Sequence, residues 1–177
     1  ALPIFKGYPR LNLSLITNFP SPFPEDAGIQ AAIFGSIWVV VTSGVVSLFI
    51  ALGSAIYLEE FASQSSRFNR LISINIQTLA GVPSIVFGIL GLAFVARGWL
   101  GWGFTVGTAS AVLTMMVLPV MIVSAREALK AVPSSLREGS YALGATKWQA
   151  ISKQVLPAAI PGIATGSILG VSRALGE

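Results

Sequence analysis

Four apolar stretches dominate this sequence, and between them they hold a single charged side chain, Arg173. They cover residues 31–58, 71–96, 104–125 and 155–174. A helix that crosses the hydrocarbon core of a bilayer needs about 20 such residues. The sequence therefore predicts an all-α membrane protein with about four spanning helices, preceded by an external segment over residues 1–30.

The amino-acid composition excludes several kinds of functional site. Apolar residues make up 54% of the 177 residues and charged residues only 10%, whereas a soluble domain carries about 25% charged residues. The chain has no His and no Cys, so we expect no metal site and no disulfide. The net charge of +4 is spread over loops without interleaved aromatic residues, which does not favour nucleic acid as a partner.

The basic residues between the stretches predict the orientation of the chain in the membrane. One side holds seven of them, namely Arg67, Arg70, Arg126, Lys130, Arg137, Lys147 and Lys153. The other side holds Lys6, Arg10 and Arg97. Loops rich in Lys and Arg remain in the cytoplasm, so we expect the loop over residues 126–154 to be cytoplasmic.

The predicted cytoplasmic loop carries the start and stop signals of two short helices. Ser135 and Glu138 have the spacing of a capping box, and so do Thr146 and Gln149. Gly144, which lies between them, suits a left-handed helix end. These signals predict two helices that meet at a sharp bend. Taken alone, Glu138 and Gly144 could be ordinary helix caps.

The same loop resembles the EAA loop of ABC-importer permeases. The resemblance rests on Glu138, the small residues Gly139 and Ser140, Gly144, and Leu156-Pro157 at the family spacing. Gly139-Ser140 replaces the usual Ala-Ala, and Gln154 stands where an aliphatic residue is usual. The resemblance implies a coupling helix, formed by Glu138, Gly139, Ser140 and Gly144, that fits a groove on an ATP-binding subunit.

The fourth stretch combines a ridge of small residues with two charges. Gly162, Gly166 and Gly170 recur every four residues, a spacing that allows membrane helices to pack closely. At about 100° per residue, Arg173 and Glu177 fall on the same side as this ridge. They form an ion pair, lie at the membrane interface, or line a translocation path in which Arg173 contacts a passing oxyanion.

Two further segments have alternative interpretations. Glu59 and Glu60 close the first stretch, and we expect them to be solvated or paired with Arg67 or Arg70. The run 81–84, Gly-Val-Pro-Ser, predicts a helix break that either lines a path or serves packing alone.

Three longer runs are similar to PstA-type permeases of the phosphate ABC importer: residues 57–61, 75–88 and 173–177. The resemblance implies the type I ABC importer (MetI-like) transmembrane helix bundle with six spans. The sequence starts without Met and stops at Glu177 on an expected helix, so we expect a fragment without the first and last spans. The location implied is the bacterial inner membrane.

The resemblance also implies partners and a transport role. They are an ABC ATPase dimer, a second permease of the PstC type, a periplasmic phosphate-binding protein, the phosphate ion and membrane lipid. No G-x-x-x-x-G-K-[ST] run occurs in the sequence, so ATP would be bound by the ATPase and this chain would hold no cofactor and no catalytic residue. A permease for sulfate or molybdate is the first alternative, and a secondary transporter or a membrane scaffold is a weaker one.

Overall fold

The computed structural model describes residues 13–23, 27–63, 66–98 and 100–177, and no strand occurs among them. The described residues fall into two compact units, one before residue 40 and one from residue 40 to residue 177. In the predicted external segment the structure shows one short helix, α1 (Leu13–Thr17). Residues 1–12 and 24–26 of that segment, Lys6 and Arg10 among them, lie outside the described residues.

Within these described ranges, three uninterrupted helical runs are long and apolar enough to cross a membrane. The first is α2 (Gln30–Ile56) with the π-helical segment Tyr57–Phe61. The second is α5 (Val106–Lys130). The third consists of α7 (Lys147–Ala150), the π-helical segment Ile151–Val155 and α8 (Leu156–Gly176). Between α5 and α7 lies the shorter α6 (Ser134–Ala142). The all-α membrane architecture is therefore confirmed.

The second predicted span, over residues 71–96, is a broken one. It consists of α3 (Arg67–Ala80), then α4 (Ser84–Leu90) with the π-helical segment Gly91–Ala96, and the two halves meet at 101°. Pro83 (φ −57°, ψ 138°) precedes α4 and keeps the residue before it out of the helical region. The predicted helix break at residues 81–84 is thus confirmed, and the span is not straight.

Helix α5 lies at the centre of the core and packs closely against α8. Met116, Val117, Ile122 and Leu129 of α5 are buried. The glycine ridge of α8 lies against the same helix. An added Cβ would meet side-chain atoms of Ala128, Ser124 and Met121 at 2.7, 2.4 and 2.7 Å from Gly162, Gly166 and Gly170, respectively. These contacts leave no room for a larger residue at the ridge.

The ends of two spans differ from the predicted boundaries. Helix α5 continues five residues past Ala125 to Lys130, and the last run begins at Lys147 rather than at residue 155. Arg126 can remain inside the buried part of α5 because its charge has partners there. The stretch between the spans is therefore shorter than residues 126–154, and we refer to residues 131–150 as the two-helix loop.

The outer faces of the long helices are apolar. On α2 the exposed side chains include Val41, Val45 and Phe49, and on α8 they include Ile168 and Leu169. Exposed aliphatic and aromatic side chains of this size suit contact with lipid or with further membrane helices.

Candidate functional site

The two-helix loop bends at Gly144, where α6 ends. Gly144 has φ +81°, the left-handed region that glycine enters without steric cost. Its N–H donates to Tyr141 O at 2.9 Å, and the N–H of Ala145 donates to Ser140 O at 3.1 Å. These two bonds form a Schellman motif. The predicted left-handed helix end at Gly144 is confirmed.

The second helix of the loop begins with a complete capping box. Gln149 N–H donates to Thr146 Oγ1 at 3.4 Å, and Thr146 N–H donates to Gln149 Oε1 at 2.8 Å. The reciprocal bonds satisfy donors that the first turn of α7 leaves free. The capping box predicted at Thr146 is therefore confirmed.

The other predicted capping box, Ser135 with Glu138, is wrong. Helix α6 begins at Ser134, its N-cap is Pro133 (φ −56°, ψ 138°), and no side chain caps it. Because the proline ring fixes the backbone one residue earlier, Ser135 lies within the first turn and not before it. Glu138 is exposed, so its carboxylate is free to face a partner.

Several apolar side chains of the two-helix loop face outwards. Leu143 is 90% exposed, Trp148 59% and Tyr141 43%. Gly139 and Gly144 have no atom near the position of a Cβ. A hollow of about 330 Å³ lies at the bend and is lined by Ser140, Leu143, Gly144, Ala145, Gln149, Ala150, Lys153 and Gln154. Exposed apolar side chains next to glycines, where no side chain covers the backbone, form a surface that another protein can approach closely.

Arg137 fastens α6 to the ends of two spanning helices. Its Nε and Nη2 donate to Glu60 Oε1 at 3.2 and 2.7 Å. Its Nη2 also donates to Leu129 O, and its Nη1 donates to Val132 O, both at 2.9 Å. The predicted pairing of Glu60 with Arg67 or Arg70 is therefore wrong. Charged hydrogen bonds of this geometry are stronger than neutral ones, so α6 is held at a defined position.

A second arginine joins the same segment to α5. Arg126 Nη2 lies 3.5 Å from Glu59 Oε2, and its Nη1 donates to Ser73 Oγ of α3 at 3.0 Å. The side chains of Arg126 and Glu59 are 10% and 11% exposed. The expected partners of Glu59, Arg67 and Arg70, do not pair with it. The charge bias at these positions was visible in the sequence, but the choice of partner depends on the packing of α5 against α2.

Arg173 of α8 reaches the helix break and not Glu177. Its Nη1 donates to Ala80 O at 3.3 Å, a carbonyl at the C-terminal end of α3, where a cation is favourable. In the described part of the chain, the ion pairs within 4.0 Å involve Arg126, Lys130 and Arg137. The alternative of an Arg173–Glu177 pair is therefore not realised, and Glu177 is exposed.

The described residues contain no group of three or more acidic side chains that could hold a metal ion. Glu59 and Glu60 are neutralised by arginines, and Glu127 pairs with Lys130 on the surface. The described chain thus presents an exposed loop, a set of buried ion pairs and an arginine within a long apolar helix.

The sequence of this helical bundle shows that it is a membrane component of a transport system. Residues 47–177 match the family described as binding-protein-dependent transport system inner membrane component, and the chain belongs to that family. With its spanning helices it is a multi-pass protein of the bacterial inner membrane.

The names of individual relatives are more specific than the description of the family. The chain is 35% identical over 195 residues to the probable ABC transporter permease protein YqgH of Bacillus subtilis, covering 100% of this chain and 62% of that protein. It is 35% identical over 153 residues to the phosphate transport system permease protein PstA 1 of Mycobacterium tuberculosis, covering 85% and 48%. It is 32% identical over 202 residues to the phosphate transport system permease protein PstC of Mycobacterium leprae, covering 98% and 63%. The chain thus spans less than two thirds of the length of these relatives.

Proposed function

We propose that this chain is a permease subunit of an ATP-driven importer and forms part of the translocation path for inorganic phosphate. The geometry of the two-helix loop is the main support for coupling to an ATPase. The loop exposes apolar side chains to a partner, while Arg137 fixes it to two spans. The substrate follows from the names of the relatives, PstA and PstC, which are phosphate transport system permeases.

Coupling to a separate ATPase is assigned to Glu138, Gly139, Ser140 and Gly144. Glu138 and Gly139 are exposed on α6, where a carboxylate can pair with a basic partner and a glycine lets a partner surface approach. Gly144 holds the bend without strain. Since the bend is fixed by backbone bonds, the loop moves as a unit when the ATPase moves.

The translocation path is assigned to Arg173 and Glu177. Arg173 is half-buried in a spanning helix and uses Nη1 on the Ala80 carbonyl, which leaves other N–H groups of the guanidinium for an anion. The planar fork of arginine donates two parallel hydrogen bonds to a phosphate oxygen pair. Glu177, one turn later, repels the same anion and limits how tightly it is held. The ridge of Gly162, Gly166 and Gly170 keeps α8 close to α5, which fixes the position of Arg173.

The importer contains further subunits in this proposal. They are a dimer of ABC ATPases that binds ATP, a second permease of the PstC type and a periplasmic phosphate-binding protein. This chain holds no cofactor of its own and carries out no covalent chemistry. Membrane lipid surrounds the exposed apolar faces of α2 and α8.

A permease for another oxyanion, sulfate or molybdate, is the second candidate. Arg173 favours any tetrahedral oxyanion by the same hydrogen bonds, so the guanidinium alone does not select phosphate. A secondary transporter is the weaker candidate, because it leaves the exposed surface of the two-helix loop without a role.

The experiment is uptake of radiolabelled phosphate by cells that express the full-length protein with its partner subunits. Import of phosphate predicts uptake that unlabelled phosphate blocks and that excess sulfate or molybdate leaves unchanged. Suppression by sulfate or molybdate would overturn phosphate as the substrate.

The role of Arg173 is tested in the same assay by Arg173→Gln. We expect loss of uptake while the amount of assembled importer remains near the wild-type level, because the bond that Arg173 makes to Ala80 O is long, at 3.3 Å, and loss of an ordinary hydrogen bond costs only about 0.5–1.5 kcal/mol. Wild-type uptake by this variant would remove Arg173 from the path.

A further inference from the structure

Three consecutive residues at the end of the first span each contact a basic side chain from a different part of the chain. Glu59 pairs with Arg126 of α5, Glu60 pairs with Arg137 of α6, and the ring of Phe61 lies 5.1 Å below Lys147 Nζ of α7. We call these three residues, Glu59-Glu60-Phe61, the acidic junction. Through it α2 contacts both helices of the two-helix loop and the end of α5.

The backbone at the acidic junction explains how three neighbours in sequence serve three partners. Residues 57–61 form a π-helical segment, closed by the hydrogen bond from Ala62 N–H to Tyr57 O at 2.8 Å. Successive side chains in this wider turn are separated by a smaller angle than in an α-helix, so they project over one side of α2. π-helical segments of this kind frequently occur at functional sites.

The two ion pairs at the junction are shielded from solvent. The side chains of Glu59 and Glu60 are 11% and 7% exposed, against 61% for Glu127 in its surface pair with Lys130. Buried ion pairs are poor stabilisers compared with apolar residues of similar volume. They do hold their two partners in a defined geometry, since breaking one leaves a buried charge unpaired. Such a contact therefore resists displacement of one helix relative to the other.

Arg137 extends the connection to a second span. The same guanidinium that holds Glu60 also donates to Leu129 O at the end of α5 and to Val132 O in the two-helix loop. A displacement of α6 therefore moves the ends of α2 and α5 together. Arg126 adds α3 through its bond to Ser73 Oγ, which brings the broken span into the same network.

From this geometry we propose that the acidic junction transmits movement of the two-helix loop to the spanning helices, with Arg137 as the positioning residue and Glu60 as its receiver. The inference rests on the proposed function, because it assumes that an ATPase moves the loop. A role of the acidic junction in coupling differs from a role in folding alone in one measurable consequence. Loss of the Glu60–Arg137 contact lowers the amount of substrate moved per ATP hydrolysed, while the importer still assembles and still hydrolyses ATP.

The test uses the complete importer in proteoliposomes and measures phosphate uptake and ATP hydrolysis in the same preparation. Glu60→Gln keeps the side-chain shape and one acceptor oxygen but removes the charge. Arg137→Lys keeps the charge but cannot bond Glu60 and both carbonyls together. For both variants we expect phosphate transported per ATP to fall about tenfold, as expected for a coupling free energy of ordinary size.

Lys130→Gln is the matched control, because it removes an exposed i,i+3 pair in the same region. We expect the wild-type ratio of phosphate to ATP for this variant. A wild-type ratio in both Glu60→Gln and Arg137→Lys overturns the proposal. A loss of uptake that only follows a loss of assembled complex also overturns it, since the contact would then serve folding alone. Absence of ATP-dependent uptake in the wild-type importer would overturn the proposed function itself.

Discussion

At the scale of single residues, the shape of the two-helix loop depends on Gly144. Its φ of +81° lies in the region that side chains with a Cβ rarely adopt, although no atom lies near the position of a Cβ. The requirement for glycine at this position therefore comes from its backbone conformation and not from steric contact with neighbouring atoms. The left-handed conformation costs a residue with a Cβ about 1–2 kcal/mol, which favours a different bend.

Replacement of Gly144 by Leu is therefore expected to uncouple ATP hydrolysis from transport. The substitution shifts the angle between α6 and α7, so that the exposed surface of the loop no longer fits its partner. The measurement is phosphate uptake per ATP hydrolysed, together with the amount of assembled importer.

Gly53→Leu is the matched control for this change. Gly53 lies in α2, has no positive φ and has no atom near the position of its Cβ, so a leucine there alters neither the bend nor the surface of the two-helix loop. We expect wild-type coupling for Gly53→Leu. Normal transport by Gly144→Leu would contradict the role of the bend.

Whether the sequence predicts the conformation and partners of these residues depends on how far apart in sequence the interacting residues lie. Gly144 and the capping box at Thr146 follow from neighbouring residues, and the sequence predicts both. The partners of Glu59 and Glu60 lie 67 and 77 residues away, and the sequence offers several equivalent arginines. Helix α6 starts before the predicted cap, because Pro133 sets the backbone at its N-cap and leaves Ser135 inside the first turn.

At the scale of helices, the packing of α8 on α5 fixes the frame that carries Arg173. Gly166 and Gly170 are buried against α5, and their lack of a side chain allows the two backbones to approach. Dispersion contacts over such a close interface drive the association of helices in a bilayer, where the hydrophobic effect is absent.

We expect Gly166→Ala to destabilise the protein. The new Cβ would lie 2.4 Å from Ser124 Cβ, so the two helices must separate, and overpacking of this kind costs about 1–3 kcal/mol. The measurement is the midpoint of thermal denaturation of the full-length protein in detergent.

Gly53→Ala serves as the comparison, because Gly53 lies on α2 with no atom near the position of its Cβ. An unchanged or higher midpoint is expected there, since alanine favours a helix over glycine by about 0.5–1 kcal/mol. An unchanged midpoint in Gly166→Ala would show that the ridge tolerates a side chain and would contradict the close packing.

The broken span shows where prediction from sequence ends at this scale. Gly81-Val82-Pro83 predicts that a helix stops, because proline lacks the N–H and restricts the preceding residue. The angle of 101° depends on how α3 and α4 each pack against α5, through contacts such as Gly91 beside Val112. The residues around the break do not by themselves determine this angle.

At the scale of the molecule, a small number of polar contacts joins the spans to one another and two of them to the two-helix loop. Arg126 joins α5 to α2 and α3, Arg137 joins α6 to α2 and α5, and α7 continues through its π-helical segment into α8. The membrane architecture was predictable from the apolar stretches, because each is long enough to span a bilayer and a helix satisfies its own backbone hydrogen bonds there. The polar connections were not predictable, since they form only once the helices are packed.

In the proposed function, hydrolysis of ATP by a separate subunit drives phosphate through this chain. The most direct test is accumulation of radiolabelled phosphate by proteoliposomes that hold the complete importer with its binding protein. ATP-driven import predicts accumulation with ATP and none with a non-hydrolysable ATP analogue, whether or not an ion gradient is imposed. Accumulation driven by an ion gradient in the absence of ATP would contradict the claim and indicate a secondary transporter.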